Sequence, residues 1–291
     1  LDNADNEIFK TVDTEIEINV ELSNIYDKSL SSGWNWFSLN RTNDDMSLTN
    51  ILSSLDDANI EGDYIKNQSG YATYYDGFGW WGTLEEMNNL SMYKINLSNS
   101  GNITFEGEDV DVTTTTIPIS SGWNWISYLP QEAMDINTAL ASIDGSAEYI
   151  KDLSGFSDYY PGYGWYGTLE ELNPHDGYMI NATESTTLTY PERYGSGNSN
   201  NEYVQKTNHN HWNFNYHNYE YNSSIMMSLD LETLNVHVDD QIGAFINDKC
   251  VGIANGQISP FDSKILFPMM IYGDNQEKVV SFKYYNSQSN K

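Results

Sequence analysis

Basic residues are scarce. Thirteen Lys and Arg stand against 42 Asp and Glu, a formal net charge of -29 over 291 residues. A field of that sign repels phosphate backbones and anionic lipid, so nucleic acid and membrane surfaces are excluded as partners. It suits solubility in a saline medium, and it suits hard cations such as Ca2+. No calcium loop of the EF-hand type occurs, so no cofactor is expected and Ca2+ is assigned to no residue. Cysteine is nearly absent. Cys250 stands alone in an apolar stretch, which rules out a disulfide within the chain and reads as a buried structural thiol. Also missing is any run of about 18 apolar residues, so no membrane insertion is expected. There is no Gly-x-Ser-x-Gly, no His-Glu-x-x-His and no phosphate-binding Gly-x-x-x-x-Gly-Lys. The expectation is a protein that is not an enzyme. The first residue is Leu1 rather than Met, which leads us to expect a processed or excised piece.

What the chain does have is aromatic rings, 22 of them Tyr, set among Asn, Ser, Thr and Gly. That composition favours strands and turns over helices. The expected class is a β-rich α+β fold.

The densest aromatic cluster is Gly77-Phe-Gly-Trp-Trp-Gly-Thr-Leu-Glu-Glu86, and it is written again as Gly162-Tyr-Gly-Trp-Tyr-Gly-Thr-Leu-Glu-Glu171. Aligned from this core, residues 64–98 and 149–183 are identical at more than half of their positions. Upstream, Ser32-Gly-Trp-Asn-Trp-Phe-Ser-Leu39 matches Ser121-Gly-Trp-Asn-Trp-Ile-Ser-Tyr128. Between these strands lie Leu48, Ile51, Leu52 and Leu55 at helical spacing behind Ser47 as N-cap, and Ile136, Leu140 and Ile143 in the second copy. Two tandem antiparallel modules are expected, each with one short helix, at 28–108 and 109–192. Residues 1–27 form an N-terminal arm and lead-in strand, in which Ile16, Ile18, Val20 and Leu22 alternate. The Gly/Ser/Asn-rich stretch 193–210 reads as a linker. Residues 211–291 read as an all-β immunoglobulin-like sandwich without helix. In it Trp212, Phe214 and Tyr216 alternate, and a hairpin turns at Asn247-Asp248.

The Gly-Trp-Asn-Trp opening, the Tyr-Ile-Lys strand and the Gly-x-Gly-Trp-x-Gly-Thr-Leu core resemble repeats of secreted surface proteins from marine bacteria, algae and viruses. The third unit, with Ile242-Gly-Ala-Phe and Ser281-Phe-Lys-Tyr-Tyr285, resembles the β-domain that follows such repeats. The resemblance implies an extracellular, cell-surface location and an accessory role in a longer multi-domain chain, and it brings no catalytic residues.

Gly77-Phe-Gly-Trp-Trp-Gly82 formally matches a dinucleotide fingerprint, but Trp fills positions where backbone must approach a pyrophosphate. A tight turn between strands is the better reading. Six tryptophans, Trp34, Trp36, Trp80, Trp123, Trp125 and Trp165, are expected in the module cores. The rings left for a partner are Trp81 and Tyr166, with Tyr75, Tyr160, Asp76 and Asp158 beside them. That set could stack and hydrogen-bond a sugar. His209, His211 and His217 read as solvated loop residues rather than metal ligands, and no metal site is expected. Sequons for glycosylation fall at Asn40, Asn67, Asn89, Asn96, Asn102, Asn181 and Asn222, relevant if the producing cell glycosylates. The leading expectation is a non-enzymatic structural or adhesive protein that self-associates or joins neighbouring surface proteins. It assembles as a filament by donating the N-terminal strand. The alternative is a carbohydrate-binding array whose partner is a polysaccharide.

Overall fold

The computed structural model describes residues 24–192, 210–229, 235–274 and 279–289. Residues 1–23 of the arm, with the strand expected at Ile16 to Leu22, and the Gly/Ser/Asn stretch up to residue 209 lie outside them, while residues 25–27, expected in the arm, open a strand that pairs within the first unit. The fold is β-rich and its sheets are antiparallel.

In the first part of the chain β1 (Ile25–Leu30), β2 (Gly33–Ser38) and β3 (Arg41–Thr42) lead to α1 (Leu48–Ile51). Then come β4 (Tyr64–Lys66), β5 (Tyr71–Tyr75), β6 (Gly79–Gly82), β7 (Met92–Leu97), β8 (Gly101–Glu106) and β9 (Glu108–Asp109). Next follow β10 (Ile117–Ile119), β11 (Gly122–Ser127), β12 (Met134–Asp135), α2 (Ile136–Ala139) and β13 (Ala147–Lys151). They are succeeded by β14 (Phe156–Tyr160), β15 (Gly164–Gly167), β16 (Glu171–Leu172), β17 (Gly177–Ala182) and β18 (Thr186–Leu188). The principal sheets run β2-β7-β4-β5-β6 and β11-β17-β13-β14-β15, the same order. Each helix is a single turn. The Ser47 hydroxyl accepts from the Asn50 N–H at 3.3 Å, and the Asp135 carboxylate accepts from Thr138 N–H at 3.1 Å. Both helices lay apolar side chains on one sheet face: Leu48, Ile51 and Leu55 over Ile65 and Ile95, and Ile136 and Leu140 over Ile150 and Ile180.

The tryptophans of Gly-Trp-Asn-Trp do not enter those cores, contrary to expectation. Asn35 and Asn124 face inward in their place. The reason is local. The Asn35 Oδ1 accepts from Ser31 N–H at 2.9 Å, and its Nδ2 donates to Ser31 and Gly33 carbonyls at 2.7 and 2.9 Å. Asn124 repeats this at Ser120 and Gly122. A polar side chain whose bonds are met by its own turn is cheap to bury. Trp34, Trp36, Trp123 and Trp125 therefore stand on the opposite sheet face, and only Trp80 and Trp165 pack on the helix side.

The third unit holds β19 (Tyr221–Ser228), β20 (Gln241–Ile246), β21 (Lys249–Asn255), β22 (Gln257–Ile258), β23 (Ile265–Gly273) and β24 (Ser281–Tyr285). These form two three-stranded sheets, β19-β23-β22 and β21-β20-β24, around Ile242, Val251, Phe267 and Met269. Asn247 and Asp248, with φ of 49° and 61°, make the expected hairpin turn. The alternation of Trp212, Phe214 and Tyr216 does not form a strand. Trp212 packs on Phe245, Phe214 and Tyr216 pack on Tyr272, and a 3-10 turn closes at Tyr216–Asn218. Cys250 is buried in β21.

The units meet through the Trp-bearing faces. Lys94 lies over Trp36 at 4.0 Å and over Trp125 at 4.9 Å, and Lys28 pairs with Asp176 at 2.6 Å. Gln68 covers the edge of β11: its Nε2 donates to the Trp123 carbonyl and its Oε1 accepts from Trp125 N–H, both at 2.9 Å. His217 Nδ1 lies 2.6 Å from the Trp34 carbonyl on the edge of β2.

Candidate functional site: two aromatic hairpin tips, one open

The repeated glycine motif builds the β5–β6 and β14–β15 hairpins. Gly77 and Gly79 hold φ of 77° and 79°, and Gly162 and Gly164 hold 81° and 102°. The third glycine has another task. A Cβ on Gly82 would sit 2.1 Å from the Tyr71 carbonyl oxygen, and one on Gly167 would sit 2.1 Å from that of Phe156. This geometry has no pyrophosphate cradle and no following helix.

Cross-strand register aligns a row of side chains on the outer face of each sheet. In the first it reads Trp34, Asn96, Tyr64, Thr73, Trp81. In the second it reads Trp123, Asn181, Tyr149, Asp158, Tyr166. Tyr71 and Tyr75 share the face of Thr73, because residues two apart on a strand point the same way.

The two faces differ in what covers them. On the second, Phe261 from the turn after β22 inserts among Tyr160, Tyr163 and Tyr166, with centroids 4.7, 4.8 and 5.8 Å away. The Tyr166 hydroxyl donates to the Ile258 carbonyl at 3.5 Å. Tyr149 donates to Ser224 Oγ at 2.7 Å, Lys151 donates to the Asn222 carbonyl at 2.9 Å, and Phe156 is buried with the third unit's core. On the first face, Glu220 reaches Lys66 as an ion pair, but the tip is bare. Phe78, Trp81 and Tyr75 are 89%, 76% and 43% exposed.

Of the six residues expected to meet a partner, Trp81, Tyr75 and Asp76 therefore lie on an open surface, whereas Tyr166 packs against Phe261. Asp158 and Tyr160 line a shallow cavity of about 550 Å³ with Glu148 and Asn181. Burial, and then Glu148, raises the Asp158 pKa. A second cavity of about 260 Å³ lies beside Trp81, lined by Leu48, Thr49, Trp80, Leu84 and Glu85. The sequence does not mark Phe261, Thr49 or Glu85. Phe261 sits in a turn far along the chain, and the other two matter only once the helix lies against β6.

The sequons divide as well. Asn40 is fully buried and donates its amide to Pro130 and Gln131, so the folded chain presents no nitrogen there. Asn89 and Asn222 each spend Nδ2 on two backbone carbonyls. Asn181 donates to Glu148 and Asn102 to Asp27. Asn67 and Asn96 are half-buried. His211 stacks on Tyr285, His217 meets the Trp34 carbonyl, and His209 lies outside the described residues. Among the described residues no three His, Cys, Asp or Glu are grouped to hold a metal, and no helix is long and apolar enough to cross a membrane.

Fold and site together define a β-rich chain with one partly covered and one open aromatic face. No protein-family model, curated protein or solved structure matches it.

Proposed function

We propose that this chain is a non-enzymatic extracellular protein of structural or adhesive type. On this reading two tandem homologous modules and an immunoglobulin-like sandwich make one body, and the first module carries the contact surface. The carrying observation is the asymmetry of the sister faces. The third unit packs Phe261 on one, with Tyr163 and Phe261 still about half exposed, and leaves Phe78, Trp81 and Tyr75 of the other without such a neighbour. Exposed apolar patches of this kind mark interaction surfaces. An array with one equivalent sugar site per module is the weaker reading, because Phe261 occupies the second tip.

Assembly by strand donation is part of the proposal. The arm, residues 1–22, pairs with an edge strand of a neighbour's sandwich, where β19, β21 and β24 each leave one side unpaired within their sheets. Light scattering and electron microscopy test it. The full chain should form filaments, and a chain lacking residues 1–12 should stay monomeric. A monomeric full chain, or filaments from the shortened one, would overturn it.

A further inference from the structure

We infer that the open tip of the first module binds a neutral glycan across the free edge of β6, with one ring stacked on Trp81 on the outer face and the hydroxyls of the adjoining ring reaching the cavity between β6 and α1. This names the ligand of the adhesive surface and so rests on that reading. A pyranose has an apolar C–H face and a rim of hydroxyls. Its site needs an aromatic face open to solvent and polar groups at the edge of that face.

Trp81 supplies the first requirement: an indole three-quarters exposed has no partner among the described residues to match its area. The cavity supplies the second. Thr49 brings a hydroxyl and Glu85 a carboxylate. Trp80 forms the apolar wall between them. The cavity's 260 Å³ falls below the roughly 300 Å³ at which drug-sized pockets begin, so it fits a single ring with the rest of a glycan lying outside. The formal charge of -29 disfavours uronate and sulfate polymers and selects neutral ones.

The sister module differs at both groups, although a cavity of about 410 Å³ lined by Asn137, Asp144 and Tyr159 remains beside its helix. Asn137 takes the helix position of Thr49, and its Oδ1 accepts from Trp165 N–H at 2.8 Å. Phe261 covers the ring that corresponds to Trp81. Among the described residues only the first module pairs such a cavity with an exposed tryptophan.

Calorimetry and tryptophan fluorescence on the full chain, titrated with cello-, xylo-, manno-, laminari- and N-acetylchito-hexaose, test the assignment. At least one of these should bind saturably at one site per chain. Trp81→Ala and Thr49→Asn should each weaken it by about ten-fold or more, and Tyr166→Ala should leave it unchanged. Trp81 is exposed and Thr49→Asn copies the sister module, so near-UV circular dichroism should confirm that both variants fold. The assignment fails if no member of the panel binds, or if binding survives both substitutions. It also fails if the chain instead forms a dimer lost in Trp81→Ala, which would make a second copy the occupant. Filament formation is read separately, so sugar binding by a monomeric chain would refute assembly and leave this site standing.

Discussion

Lys94 is a buried cation between two indole rings, and its counterpart in the second sheet is Met179. Burial, then the nearby Lys151 and Lys66, pull its pKa down to about 7, while Glu220 acts the other way. Lys151, half-buried, is lowered to about 8 by desolvation. A lysine whose folded pKa is depressed binds fewer protons folded than unfolded, so stability rises with pH from about 7 toward the ordinary lysine range. Lys94→Met should flatten that rise and stabilise the protein at neutral pH by roughly 1 kcal/mol, the lost cation–π contacts offsetting part of the gain. Thermal melts from about pH 6 to pH 9 read it, and a variant less stable at every pH would contradict it. Asp152 is the acidic counterpart. Burial raises its pKa to about 6 in spite of hydrogen bonds from Gly155 and Ser154. Asn67 makes the same turn in the first module, accepting from Ser69 and Gly70 at 2.9 and 2.7 Å. Because the folded pKa lies above the unfolded one, stability falls as pH rises from the ordinary aspartate range through 6. Asp152→Asn should gain on the order of 2 kcal/mol at pH 7, and the gain should vanish below about pH 4. An unchanged difference across that window would show that the carboxylate is not the cause.

At the level of elements, the glycine motif was legible because its demands are local. Two left-handed residues at a hairpin and one close backbone approach are written as Gly-x-Gly-x-x-Gly, and both copies carry them. Gly82→Ala and Gly167→Ala should each cost roughly 2 kcal/mol or more, since the Cβ collides with a carbonyl in a paired strand. Gly77→Ala, at an open turn, should cost less, about 1 kcal/mol. Urea unfolding ranks the three, and an equal cost at all of them would remove the distinction. The orientation of Gly-Trp-Asn-Trp was not legible. Alternation separates two faces without saying which meets the helix and which meets the neighbouring unit, and hydrophobicity pointed the tryptophans toward the helix although Trp36 is buried on the other side. The deciding fact is that Asn35 and Asn124 satisfy themselves on their own turns. Trp81 could be found, because the copies differ there as Trp and Tyr. That Tyr166 is covered could not, because the cover, Phe261, belongs to a sequence unlike either module.

Across the whole molecule the same aromatic faces that could serve recognition also hold the units together. The Lys94 sandwich, the Lys28–Asp176 pair, the Gln68 clamp on β11 and the Ser38 N–H to His175 carbonyl bond all join the first module to the second. Separating them exposes Trp36 and strips Lys94 of an indole, so the modules should unfold together. Fluorescence and calorimetry should then report one transition, with Gln68→Ala lowering its midpoint rather than splitting it. Charge acts at the same scale. A formal charge of -29 makes compaction work against self-repulsion that salt screens over a Debye length of about 10 Å at 0.1 M. The Lys264–Asp262 and Lys283–Asp248 pairs are exposed and contribute little, so screening them loses little. The melting temperature should therefore climb by several degrees as NaCl rises from about 10 mM to about 0.5 M. MgCl2 at equal ionic strength should do no more than NaCl, because no grouped carboxylates are found among the described residues to bind the ion specifically. A larger rise with the divalent salt would locate a cation site and overturn the view of this charge as a diffuse one.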